Sequence, residues 1–445
     1  MSFFDSIRRR IGDLWWYTIL LFCVQRLGDV INMFVGLWLV PRYVPMEELG
    51  AVLPLTYIVG FIGLPLGIIA VPFMKFLNVY AERGELGKVK ALLRDGFLWT
   101  GALALLSFVL AYFVLPLVFT RMRVAAGSLG LLIVGLSVLG SISVIFSNAV
   151  QGLKMYSTTV WFSAITAPLR LVLMVVFMPF RPLSGYLVGQ AAAPGVSVVG
   201  AIWVLRKKLG RAVKSVPYWR EDGSAMIRYA IPVLIGSVTS AITIAVDQLV
   251  IRHRLSDFDS AGYYMISRFA DIGSYFGSVF IVFLFPMVAS RMKRDAASLN
   301  ALRHSIFGTL ASGCVTCVLL WIFGDWLLGL QAHWQPYAVF APHMALLAAV
   351  NVVTLTCGCL VTYETAQGRF RYLWYLVPMS LGRSLGLYAL LGYGFFEGML
   401  PAAWLRAIAE FNPCRLGFVI VVMFAANIIT LALLLFDVYG WRRRQ

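Results

Sequence analysis

The chain has 445 residues, of which 60% are hydrophobic and 13% charged, with a mean hydropathy of +0.84 and a formal net charge of +17. That balance excludes an ordinary soluble globular protein and marks a polytopic membrane protein. The basic excess does not imply nucleic acid, because Lys and Arg fall in short loops between apolar segments, as a membrane requires.

Most segments are apolar all round, so helices are assigned from apolar length rather than from amphipathic period. The amino-terminal MSFFDSIRRRIGDLWW is followed by no small-residue cleavage site, so residues 14–40 read as a retained first span. The second span covers 49–74, with Pro54 and Pro65 as expected bends, and a charged loop leads to the third at 96–120. Spans four to six cover 128–150, 158–180 and 184–205, and a basic linker occupies 206–228. Spans seven and eight, 229–251 and 262–288, form a hairpin with a short polar connection. Spans nine to eleven cover 306–330, 339–363 and 372–391. Residues 392–415 contain PAAWLRAIAEF, expected as a short interfacial helix with Trp404 and Phe411 on the membrane side, and span twelve covers 416–438.

Twelve spans put both termini on one side, and charge selects that side. One set of loops and ends holds 25 Lys and Arg, the other holds 8, and 4 lie within spans, so both termini are expected in the cytoplasm. The chain also carries an internal duplication. Gln151-Gly152-Leu153-Lys154-Met155-Tyr156 matches Gln367-Gly368-Arg369-Phe370-Arg371-Tyr372 at an offset of 216. Arg42 and Glu47-Glu48-Leu49-Gly50 match Arg254 and Asp259-Ser260-Ala261-Gly262 at 212, and Pro72 matches Pro286 at 214. The expected architecture is therefore all-α, with a six-helix lobe at 1–205, the cytoplasmic linker at 206–228, and a second six-helix lobe at 229–445. With six spans per repeat the lobes share one orientation, and a pseudo-two-fold axis along the membrane normal is expected.

Charges inside spans are costly and point to a pathway or to one another. Arg26 and Asp29 stand three apart on span one, and Arg268 and Asp271 repeat the spacing on span eight, so each pair shares a helix face and can neutralise itself. Asp247 has no partner at helical spacing. Arg170 and Arg383 lie near the centres of spans five and eleven, within one helical turn of each other under the repeat offset, and together suggest a cationic lumen. The competing reading pairs them with a carboxylate or with backbone carbonyls. Asp29, Asp247 and Asp271 are candidates for coupling to a proton or sodium ion, since a carboxylate in a cavity can titrate or ligate a cation. Asn32, Asn148 and Asn351 either contact sugars or join helices.

The seventh and eighth spans carry a family resemblance. Pro232 opening a helix, a late Asp247, an acidic loop, Ala261-Gly262-Tyr263-Tyr264, and Phe285-Pro286 before a basic loop resemble the polysaccharide-exporter branch of the MOP superfamily. That superfamily also includes MATE multidrug antiporters and lipid II flippases. The resemblance implies a MATE-like fold in a bacterial inner membrane and a flippase for polyprenyl-pyrophosphate-linked oligosaccharide, working by alternating access. It implies membrane lipids and polysaccharide assembly proteins as partners. Arg26, Arg170, Arg268 and Arg383 are then the expected substrate-binding residues, because guanidinium groups bind phosphate oxygens bidentately. A MATE-like antiporter for an amphipathic cation is the alternative, and a cationic lumen would repel its substrate.

No enzyme is expected: no H-E-x-x-H, G-x-S-x-G or P-loop is present, and His253, His304, His333 and His343 are scattered near span ends. A membrane glycan polymerase or ligase is the rival enzyme class, with 392–415 as its external candidate. Five of the six cysteines fall in apolar segments, and Cys314-Val-Thr-Cys317 has no second pair or His at ligand spacing, so neither a disulfide framework nor a metal is expected.

Overall fold

Long apolar stretches with little polar punctuation must satisfy their backbone internally, and in this chain they do so as helices. The structure is a computed structural model that describes residues 13–67, 73, 76–77, 79–81, 83–124, 129–153, 155–209, 215–289, 296–391 and 415–440. The segment expected as an interfacial helix, 392–414, lies outside the described residues. Among those residues there is no strand, and ten helical stretches are long and apolar enough to cross a membrane. The protein is an all-α, multi-pass membrane protein.

The first half holds α1 (Asp13–Phe34), which passes through a π turn at Val35–Leu39, then α2 (Met46–Leu49), α3 (Val52–Gly67) and α4 (Leu86–Met122). It continues with α5 (Leu129–Gly152), α6 (Tyr156–Phe177), α7 (Pro182–Gln190) and α8 (Ala192–Leu209). The second half holds α9 (Trp219–Arg254), α10 (Asp257–Ala289), α11 (Ala296–Gly329), α12 (Met344–Ala366), α13 (Leu373–Leu391) and α14 (Arg415–Gly440). Several helices are longer than their apolar runs: α4 has 37 residues, α9 36 and α11 34. Hydropathy marks only the part of a helix that needs lipid, so α4 begins at Leu86 rather than at 96, with a polar first turn that hydropathy alone does not detect. Large apolar side chains face outward along these helices, among them Leu117 at 70% exposure and Trp321 at 77%. Such faces suit lipid. Phe180 and Trp374, at 83% and 81%, stand at helix ends where interfacial aromatics belong.

The chain divides into two compact units. One comprises Met1–Val44 and Ile58–Ser237, the other Pro45–Tyr57 and Val238–Gln445. The helices α3 and α9 each contribute to both. In the first unit, α1 packs on α6 through Gly28, where an added Cβ would lie 3.6 Å from the Ala167 Cβ, so the two helices approach closely. Ser137 on α5 donates to its own helix at Ile133 O and also lies 2.8 Å from Val59 O on α3.

Two polar clusters tie loop segments into these units. In the first unit, the Tyr80 hydroxyl donates to Asp222 Oδ2 at 2.6 Å, Lys88 pairs with Glu221 at 2.6 Å and Glu85 at 3.1 Å, and Val216 N donates to Gly87 O at 3.1 Å. Burial, helped by the adjacent Asp222 carboxylate, pushes the Tyr80 phenol well above its ordinary range, and burial pushes Tyr218 up to about 12, so both hydroxyls stay protonated at physiological pH. Tyr80→Phe is expected to cost about 1–2 kcal/mol through the lost charge-assisted bond, read as a lower thermal midpoint in detergent.

In the second unit, Arg252 is 1% exposed and donates to Glu47 O at 2.7 Å, Asp257 Oδ1 at 2.8 Å and Ser260 Oγ at 3.0 Å. Its position at a span end suggests a loop charge. The structure makes it a buried staple between α2, α9 and α10. Gly50 completes the joint, because a Cβ there would run into Ser260. Arg252→Met removes the donor that joins Glu47 O, Asp257 and Ser260 and is expected to cost about 1–3 kcal/mol, measured by thermal unfolding of the purified protein.

Candidate functional site

Each unit encloses its own polar cavity, and the seven charged residues picked out by their positions within spans line one or the other. In the first unit the cavity has a volume of about 520 Å³ and is lined by Arg26, Asp29 and Asn32 on α1 and by Thr159, Ser163, Thr166 and Arg170 on α6. Gln25 on α1, Ser147 on α5 and Ser197 on α8 complete its polar wall. The i,i+3 spacing makes its expected pair: Arg26 Nη1 lies 3.0 Å from Asp29 Oδ2, and the guanidinium sits 5.3 Å from the Phe22 ring centre.

Arg170 is held differently. Its Nη1 donates to the Asn32 Oδ1 at 2.7 Å, across 138 residues of sequence, while its buried Nε has no partner among the described residues. The acceptor is neutral, so this guanidinium keeps its full charge. With Arg26 set against Asp29, the ionisable lining of the first cavity carries one net positive charge. A π turn begins three residues after Asn32, at Val35, and such bulges widen a helix locally.

The second unit's cavity, about 400 Å³, is lined by Asp247 on α9, Tyr263, Arg268 and Asp271 on α10, Asn351 and Thr354 on α12, Arg383 on α13 and Asn427 on α14. Arg268 and Asp271 form the expected i,i+3 pair at 3.4 Å, and Asn351 Nδ2 donates to the other Asp271 oxygen at 3.3 Å. The arginine also lies over the Tyr264 ring, 5.4 Å from its centre.

Here the expectation of two uncompensated central arginines is corrected. Arg383 is 8% exposed and donates both to Asp247, 2% exposed, and to Asn427 Oδ1. The carboxylate that lacks a partner on its own helix finds one on α13. Asn427 in turn donates to Thr354 Oγ1 at 2.8 Å. With two arginines and two aspartates, the second cavity is electrically balanced. Of these two cavities, the first carries the net positive charge.

Asn427, Gln248 and Tyr263 are lining residues that charge-based reading passes over. Gln248 Nε2 donates to the Tyr263 hydroxyl at 3.1 Å, both groups buried beside Asp247. A lone Asn in the apolar run VVMFAANIITLALLL is the available signal for Asn427, since a buried amide in a span needs a partner. Among the described residues no cluster of His, Cys, Asp and Glu is arranged to hold a metal ion.

No family model and no curated protein sequence matches the chain. Solved structures do. A Vibrio cholerae MATE transporter, VcmN, superposes with a TM-score of 0.64 at 15% identity, covering 99% of this chain and 98% of its own. An inward-facing multidrug resistance MATE family transporter of the MOP superfamily gives 0.62 at 13% identity, covering 94% and 96%. The lipid II flippase MurJ in an inward closed conformation gives 0.61 at 14%, covering 95% and 87%. The chain thus has the fold found in MOP-superfamily transporters, over nearly its whole length.

Proposed function

We propose that this protein is a membrane transporter of the flippase class, moving a polyprenyl-pyrophosphate-linked oligosaccharide, such as an O-antigen or exopolysaccharide repeat unit, across the bacterial inner membrane by alternating access. The observation that carries the reading is the first cavity, where Arg170 keeps an uncompensated charge among hydroxyl and amide groups. A diphosphate cannot cross hydrocarbon without such partners, and a guanidinium offers paired donors to its oxygens. Arg26 lines the same cavity, while Arg268 and Arg383 line the balanced one, each set against an aspartate. The fold supports transport, and the charge of the first cavity supports an anionic substrate.

The test is translocation of lipid-linked oligosaccharide by the purified protein in liposomes. Wild-type translocation that depends on Arg170 is the expected result, and no movement of such a lipid overturns the reading.

One observation favours a second reading, a MATE-like antiporter coupled to a cation. Asp247 and Asp271 line a single cavity in the second unit, and Asp29 lines that of the first, so carboxylates able to hold a proton or sodium ion are present in both. Exchange of organic cations for protons or sodium in the same liposomes would favour it. If transport is coupled through Asp247 in either case, Asp247→Asn removes the response to an imposed ion gradient, and an unchanged response acquits that residue.

A further inference from the structure

The two cavities share one plan with one acceptor changed. In each, an arginine from the fifth span of its half donates to a side chain from the first span of the same half: Arg170 to Asn32, and Arg383 to Asp247. The two arginines stand 213 positions apart and the two acceptors 215, inside the 212 to 216 window of the duplicated motifs. The structure therefore places equivalent arginines against equivalent first-span positions, an amide in one half and a carboxylate in the other, with Asn427 as a further acceptor for Arg383.

That difference decides what each cavity can hold. An amide oxygen orients a guanidinium without cancelling its charge, whereas a carboxylate in its place both cancels the charge and repels an incoming anion. We infer that Asn32 is the selectivity-determining residue of this protein: it positions Arg170 as the binding group for a diphosphate in the first unit, while Asp247 closes the equivalent arginine of the second unit to anions. Ser147, Ser163 and Ser197 supply hydroxyl groups on the remaining cavity wall, as phosphate oxygens require. The inference rests on the flippase reading and deepens it by assigning the anionic headgroup to one cavity and to one amide. Asn32 is a positioning residue, since it acts through Arg170.

The experiment is calorimetric titration of the full chain in nanodiscs with farnesyl diphosphate and, separately, with inorganic pyrophosphate. Farnesyl diphosphate is expected to bind wild type and to lose at least about tenfold in affinity in Asn32→Asp, with a smaller loss in Asn32→Ser, which removes the amide without adding charge. Arg170→Gln is expected to match the loss in Asn32→Asp, and the double variant to lose no more than either single one, because the two side chains act as one unit. Inorganic pyrophosphate bound as tightly, with the same variant pattern, supports the inference and identifies the ligand as free phosphate chemistry rather than a lipid headgroup. Undiminished binding in Asn32→Asp, an equal loss in Asn32→Ser, or additive losses in the double variant overturns the inference and leaves the flippase reading standing. Failure of wild type to bind either diphosphate overturns both.

Discussion

Arg170→Ala is expected to abolish translocation while the protein still folds and inserts. The guanidinium makes its hydrogen bond to a neutral amide, Asn32, and lines a cavity of about 520 Å³, so its removal leaves no buried charge unpaired. The loss falls on the substrate instead. Charge-assisted bonds to a diphosphate contribute about 1.5–3 kcal/mol each, so losing one or two lowers transport by roughly one to four orders of magnitude. The check is initial rate of lipid-linked oligosaccharide translocation in liposomes at matched protein content, with the elution profile of the variant as a control for folding. A rate within twofold of wild type would remove Arg170 from the pathway.

Arg383→Ala is expected to fail for a different reason, through loss of the second unit's stability. Arg383 and Asp247 are 8% and 2% exposed, so truncating either one strands a buried charge, at a cost of about 3–5 kcal/mol. Asp247→Ala should destabilise to a similar degree, because among the described residues the arginine then retains Asn427 as its acceptor. Replacing both together, as Asp247→Leu with Arg383→Met, removes the charges as a pair and should recover most of the lost thermal stability. The measurement is thermal unfolding in detergent of both single variants and the double variant. Destabilisation that simply adds in the double would show that the two side chains are not coupled. The contrast with Arg170→Ala matters: equal midspan arginines give a transport defect in one half and a folding defect in the other, because one is held by an amide and the other by a carboxylate.

Much of this molecule was legible from local features. Apolar runs long enough to span about 30 Å locate the helices, since lipid leaves the backbone no other partner. The spacing of Arg26 with Asp29 and of Arg268 with Asp271 brings each pair together on one helix face, and both ion pairs form. What hydropathy misses is the polar extension of a helix beyond the bilayer, as in the first turns of α4, and the burial of a terminal charge such as Arg252.

By itself, then, the sequence determined the helical class, the apolar cores of the described helices and the short-range ion pairs, because each depends on apolar length or on neighbours within a helical turn. Only the tertiary structure decided which acceptor each central arginine meets, because Asn32 and Arg170 lie 138 positions apart, and Asp247 and Arg383 136, and helical periodicity carries no information over that distance. It is the packing of α1 on α6 through Gly28, and of α9 near α13 and α14 around one cavity, that leaves one arginine charged and the other neutralised.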